Sequence, residues 1–156
     1  MEGNSKVAQK TTTPRQMGSL LRIPHRAFVA RIYQGLLDAG FTDLRMPNLV
    51  VFQHMSGDGA RPTELADRAQ MTKQSMNYLV DYLEACGYVE RAPDPLDGRA
   101  RIVRLTSRGW AVTDKARQIA DQIERDWAAH IGEQRMADLR RTLNDLIEAL
   151  EQDDGR

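Results

Sequence analysis

Three stretches of this 156-residue chain predict a mainly α fold with a small β-ribbon. From Pro62 to Cys86, apolar residues recur at helical spacing on both sides of a short break. From Tyr88 to Leu105, two short β-prone runs flank a turn rich in Pro, Asp and Gly. At both ends of the chain, longer helical patterns carry apolar stripes. The length suits one domain with room for a proper core.

Taken in order, Met1 to about Thr13 is polar and expected to be disordered. From Gln16 to Ala39 the pattern is helical, with Leu20, Ile23, Ala27, Ala30, Ile32, Leu36 and Leu37 as apolar positions. Pro24 lies inside it, so the helix either starts near Pro24 or starts near Gln16 and kinks. The early start is preferred, because Leu20 and Leu21 would otherwise stand exposed. Gly40 ends this helix, and Met46-Pro47 opens another that carries Phe52 and Met55 as core residues up to a Gly57-Asp58-Gly59 turn. Pro62 suits the first turn of the next helix, which has Leu65, Ala66 and Ala69 on one side. Thr72 then sits where a cap belongs, and Lys73 to about Cys86 follows with Met76, Leu79, Val80 and Leu83 as its inner stripe. Gly87 is a left-handed stop. Strands are expected at Tyr88–Arg91 and Ile102–Leu105, joined by a turn over Pro93–Gly98. Thr106 caps a long helix to about Ile131, with Ile119, Ile123 and Trp127 four apart. After Gly132 a last helix carries Met136, Leu139, Leu143, Leu146, Ile147 and Leu150.

The outer face at the start of the Lys73 helix is informative. Lys73, Gln74, Ser75, Asn77 and Tyr78 are donors or acceptors, and only one is charged. An ordinary solvated face carries Glu and Lys, whereas amides and hydroxyls suit base edges in a major groove. The face alone leaves the two readings level. The ribbon tips the balance, since Arg99, Arg101, Arg104 and Arg108 follow its turn with no intervening acid. An arginine-bearing hairpin beside an amide-rich helix is the layout of a winged helix-turn-helix on DNA. Gln74 and Asn77 are the candidates for adenine, while Lys73 and Ser75 hold phosphate and Arg99 enters the minor groove or meets its phosphates.

At this point the chain resembles the multiple antibiotic resistance regulator (MarR) family of bacterial transcription factors. The matching residues are Leu65-Ala66, Thr72-Lys73-Gln74-Ser75, Leu79-Val80-Asp81, Leu83-Glu84, Gly87-Tyr88-Val89-Glu90-Arg91, Asp94-Pro95, Asp97-Gly98-Arg99 and Leu105-Thr106, closed by Gly109. The resemblance implies a winged helix-turn-helix whose N- and C-terminal helices interlock with those of a second chain. It divides the chain into a tail at 1–14, a dimerisation helix and linker at 15–46, a DNA-binding region at 47–106 and C-terminal dimerisation helices at 107–156. It implies a homodimer on a pseudo-palindromic operator in double-stranded DNA, repression as the outcome, and release by a small aromatic or phenolic ligand. The DNA-contact set is then Arg61, Thr72, Lys73, Gln74, Ser75, Asn77, Tyr78, Arg99 and Arg101. In similar proteins the residue matching Asp97 braces a wing arginine, here Arg99 or Arg101. His25, Arg26 and His54 lie on segments that flank the family's effector crevice.

Two departures matter. Tyr78 stands where many members have an arginine, and Arg61 occupies a cap position where Ser or Thr is common. Arg61 cannot cap, so it is expected to reach a phosphate. Cys86, the one thiol, lies near the end of the recognition helix and not on the first helix, where peroxide-sensing members carry theirs. It is expected to be a buried spacer, with a cysteine-based redox regulator as an alternative reading. A winged helix used only for protein contacts is the other.

Composition bounds the rest. Lys plus Arg and Asp plus Glu number 22 each, so the whole chain gives no hint of nucleic acid. Distribution does, because from Met1 to Arg26 five cations face Glu2 alone, and from Trp110 onward seven cations face eleven acids. No apolar run reaches membrane-spanning length and no signal core opens the chain, which makes the cytoplasm the natural compartment. The three histidines are isolated from one another and from metal-ligand spacing. With no phosphate-binding glycine loop and no nucleophile elbow, no enzyme, metal or cofactor is expected.

Overall fold

The helix around Pro24 takes the earlier of its two starts. In the computed structural model, which describes residues 14–154, α1 spans Met17–Asp38 with Pro24 inside it. The polar stretch Met1–Thr13, with its expected disorder, lies outside the described residues. The early start does not cover Leu20 and Leu21 within this chain. Leu20 and Leu21 stay 47% and 46% exposed, because residues 20–27 are all open to solvent and no described element covers them.

A short 3-10 turn at Met46–Asn48 leads into α2 (Leu49–His54). Next come α3 (Pro62–Arg68) and α4 (Lys73–Ala85). Pro62 sits at the start of α3, where its missing N–H leaves nothing unsatisfied, and the Glu64 carboxylate accepts from the Arg61 backbone N–H at 3.1 Å. Gln70 makes the turn between α3 and α4 at φ 51°, a left-handed conformation in which a Cβ is uncomfortable. Thr72 caps α4 as expected, its Oγ1 accepting from the Ser75 N–H at 3.1 Å. Met76, Leu79, Val80 and Leu83 are the buried stripe of α4.

The ribbon is longer than its sequence suggests. β1 (Val89–Asp94) and β2 (Asp97–Leu105) pair antiparallel, Val89 opposite Leu105 and Ala92 opposite Ile102. Pro93 stays in β1, opposite Arg101, so the expected six-residue turn shrinks to Pro95-Leu96. A two-stranded ribbon tolerates that proline because each strand has an unpaired edge where no N–H is needed. Ala60 adds an isolated bridge on the far side of β2, its N–H donating to the Val103 carbonyl at 3.0 Å and its carbonyl accepting at 2.8 Å. Gly59 permits this approach, since a Cβ there would lie 2.6 Å from the Val103 carbonyl oxygen.

Thr106 caps α5 (Ser107–Ile131), and α6 (Glu133–Asp154) follows Gly132. α5 lies along α1, where the Phe28 and Trp127 rings meet at 5.8 Å and Arg31 pairs with Asp126. That hydrogen bond from Arg31 is the main reason the Asp126 carboxyl is held below the usual carboxylate range. One core then joins the parts: Leu36 of α1, Leu65, Val80 and Leu83 of the helix pair, Tyr88 just before the ribbon, Val103 within it and Val112 of α5. α6 takes no part in it. None of its described side chains is buried, and Leu139, Leu146, Ile147 and Leu150 are each about half exposed.

Candidate nucleic-acid interface

Inward packing of Met76, Leu79 and Val80 turns the other side of α4 outward. Lys73, Gln74, Ser75, Asn77 and Tyr78 are all exposed there, Tyr78 to 64%. Thr72 is occupied at the helix start, accepting from the Ser75 N–H and donating to its hydroxyl oxygen at 2.9 Å. Ser75 keeps its own hydroxyl proton to donate. The start of α4 therefore offers a cation, two amides, a hydroxyl and a phenol on one rigid surface.

Two ion-pair clusters flank the junction of this helix with the ribbon, and the first ties the two together. Arg91 of β1 reaches back to α4, with Nη2 2.6 Å from Asp81, Nη1 on the Glu84 carboxylate, and its backbone N–H donating to Glu84 at 3.1 Å. Asp81, Glu84 and Arg91, apart in sequence, thus lock α4 against the root of the ribbon. On the other side, the buried Tyr88 hydroxyl donates to Asp43, which also pairs with Arg108 at 3.0 Å. The Arg108 guanidinium lies 4.1 Å from the centre of the Tyr88 ring. Burial and the Asp43 carboxylate together push the Tyr88 phenol up. Burial alone would raise the Asp43 carboxyl too, but the bonds from Tyr88 and the Arg108 charge hold it below the usual range. Arg108 is thereby committed to the scaffold. Composition could not reveal this, because an arginine count does not distinguish a committed guanidinium from a free one.

At the wing, Arg99 and Arg101 are exposed and enter no ion pair among the described residues. Arg104 donates from Nε to the Asp58 carbonyl at 3.3 Å. The expected bracing of Arg99 or Arg101 by Asp97 is not what the structure contains. One Asp97 oxygen accepts from the Arg99 backbone N–H at 3.1 Å, shaping the turn, and the other lies 3.8 Å from Arg61. Arg61, expected to reach a phosphate, instead donates from Nε to Asp94 at 2.7 Å, with Nη2 2.6 Å from the same oxygen. The Ala60–Val103 bridge causes this by drawing the start of α3 beside the end of β1. Asp94, only 7% exposed, also accepts from the Leu96 N–H at 2.8 Å. That backbone bond, then Arg61, holds its carboxyl low. In the sequence Asp94 was legible as a turn residue and a matching position, and not as the partner of Arg61.

The remaining candidates separate. An apolar cavity of about 160 Å³ lies between α1, α2 and α5, walled by Ile32, Leu36, Phe52 and Val112, with Gln53 and Thr113 as its polar groups. None of His25, Arg26 and His54 lines it. His25 and Arg26 sit on the exposed end of α1, and His54 is engaged through its carbonyl by Arg68 at 3.1 Å. Cys86, expected as a buried spacer, is half-buried against the core, and its carbonyl accepts from Arg108. Among the described residues no cluster of His, Cys, Asp and Glu could hold a metal, and no helix is long and apolar enough to cross a membrane.

Comparison with known proteins places this geometry. Residues 39–100, from the end of α1 to the wing, match the model of the MarR family. The HTH-type transcriptional regulator MT0903.1 of Mycobacterium tuberculosis is 31% identical over 94 residues, 60% of each chain. This chain therefore spans less than two thirds of the length of that relative. Among solved structures, the reduced form of MarR from E. coli is similar with a TM-score of 0.74 and 21% identity, over 86% of this chain and 98% of that one. The transcriptional regulator Tm0710 from Thermotoga maritima is similar with a TM-score of 0.64 and 24% identity, over 89% and 96%. At those identities the likeness is one of fold, and it extends across the flanking helices that the family model leaves out. On its helix pair and its wing, the chain has a winged helix-turn-helix fold, and its residues 39–100 are similar to the MarR family of transcriptional regulators.

Proposed function

We propose that this protein is a cytoplasmic repressor that reads an inverted-repeat operator in double-stranded DNA as a homodimer and is released by a small aromatic or phenolic ligand. The observation that carries the reading is the exposed polar start of α4 beside two wing arginines, Arg99 and Arg101, that enter no ion pair among the described residues. Amides on a rigid helix recognise base edges, and arginines on an adjacent ribbon find phosphates and the narrow minor groove. The half-exposed apolar residues at both ends of the chain, Leu20 and Leu21 on α1 and Leu146 and Leu150 on α6, favour a second copy as their cover. The cavity between α1, α2 and α5 supports the ligand part. At about 160 Å³ it falls below the roughly 300 Å³ of usual ligand pockets, which suits a single ring. Gln53 and Thr113 would orient that ring.

Selection from a pool of random duplexes at two salt concentrations tests the reading. The expected product is an inverted repeat whose binding weakens with salt. Arg99→Ala should weaken all sequences alike and lower the log–log salt slope by about one. Gln74→Ala should instead cost about 1–3 kcal/mol at one base pair of each half-site and relax selection there. Leu96, 95% exposed at the wing tip, favours a second reading, a ribbon that contacts protein. That reading requires no enrichment of any duplex and no effect of Arg99→Ala.

A further inference from the structure

The wing tip poses an electrostatic problem for a DNA-binding surface. Asp94 and Asp97 flank its two-residue turn, so the loop that would approach phosphate carries two carboxylates. We propose that Arg61 is a positioning residue for DNA binding: it cancels Asp94 and Asp97 at the wing tip and does not itself contact phosphate. This rests on the DNA-binding reading above. Three features carry it. Nε and Nη2 of Arg61 are both on Asp94, at 2.7 and 2.6 Å, and Nη2 is also 3.8 Å from Asp97. Its backbone N–H is taken by Glu64, so main chain and side chain alike are held. Asp94 is 7% exposed, and a carboxylate so enclosed needs a cation beside it. With Arg61 in place, the tip presents one net negative charge from this trio. Without it, two charges face the phosphates and the turn loses its anchor on α3.

Arg61 thus departs from the usual capping Ser or Thr for a reason. It gives up a side-chain cap and gains a link between the start of α3 and the wing, across 33 residues of sequence. The Asn variants of both acids keep the acceptor oxygens that shape the turn for the N–H groups of Leu96 and Arg99. Removal of charge can therefore be separated from removal of the turn.

The test measures anisotropy of a labelled duplex from the selected pool with four full-length proteins: wild type, Arg61→Ala, Asp94→Asn/Asp97→Asn, and the triple variant. Thermal melting confirms that each is folded. Arg61→Ala should bind about tenfold more weakly at low salt, the gap closing as salt screens the carboxylates. The triple variant should recover to within about twofold of wild type, because nothing is left to cancel. If Arg61 touched phosphate directly, its removal would weaken binding as much in the Asn background, and the proposal fails. If the Asn pair alone bound as weakly as Arg61→Ala, the link would be a mechanical brace and the cancellation account would fall. Unchanged binding by Arg61→Ala overturns it as well. Wild-type protein that binds no duplex would instead bring down the DNA-binding reading on which it rests.

Discussion

A Leu139→Lys/Leu146→Lys variant is expected to run as a monomer at micromolar concentration and to bind its operator at least about a hundredfold more weakly. Both side chains lie on the outer stripe of α6, 45% and 46% exposed, one heptad apart. They contribute little to the fold of a single chain, so the far-UV circular dichroism should not change. Their value lies in the proposed dimer, where each leucine would be covered by the partner. A buried lysine there would have to lose its hydration or its charge, and both cost more than the contact returns. Separation of the protomers would then turn one bivalent encounter with an inverted repeat into two independent ones. Linked sites commonly gain about 10²–10⁴ in avidity, which sets the expected loss. Sedimentation and anisotropy on the same samples check it. A variant that stays dimeric would show that α6 is not the interface, and α1 with its exposed Leu20 and Leu21 would become the candidate.

The second large effect is expected at Gly109. In the first turn of a helix, Gly→Ala ordinarily stabilises, by up to about 1 kcal/mol. Here an added Cβ would stand 2.2 Å from the Tyr88 carbonyl oxygen and 3.1 Å from the Leu105 side chain. Backbone cannot swing aside as a flexible side chain does, so α5 would have to part from the start of the ribbon. Overpacking of this kind costs about 1–3 kcal/mol and occasionally more, and the clash should outweigh the gain in propensity. Gly109→Ala should lower the urea midpoint by an amount equal to about 2–3 kcal/mol with m unchanged. The same carbonyl accepts from the Thr106 N–H at 3.1 Å and from its hydroxyl at 3.1 Å, so the cap of α5 would suffer with it. Equal or greater stability would mean that this junction opens without cost.

The Gly109 result also shows why some of the molecule could be read in advance. Leu105-Thr106 followed by Gly109 is a local arrangement, a strand end, a cap and a gap for a crossing carbonyl, all within five residues. The stripe of α4, its Thr72 cap and its polar outer face are local in the same sense. So is the strand pair, though Pro93 concealed how far β1 runs. Gln70 offered no such signal, since its left-handed turn is a conformation that Gly or Asn usually announces.

Partnerships across the chain were another matter. Arg61, Arg99, Arg101 and Arg108 are identical as letters, yet the fold holds Arg61 on Asp94 and Arg108 on Asp43 and leaves the other two free of ion pairs among the described residues. The apolar cavity likewise draws its walls from α1, α2 and α5, while His25 and His54, named because their segments flank the crevice of similar proteins, stand outside it. By itself the sequence determined which segments are helical, where they stop, and that one helix presents amides outward, because periodicity, caps and turn residues act within a few positions. Only the tertiary structure decided which charges meet, since ion pairing depends on distances of a few ångströms between segments whose separation no local pattern encodes.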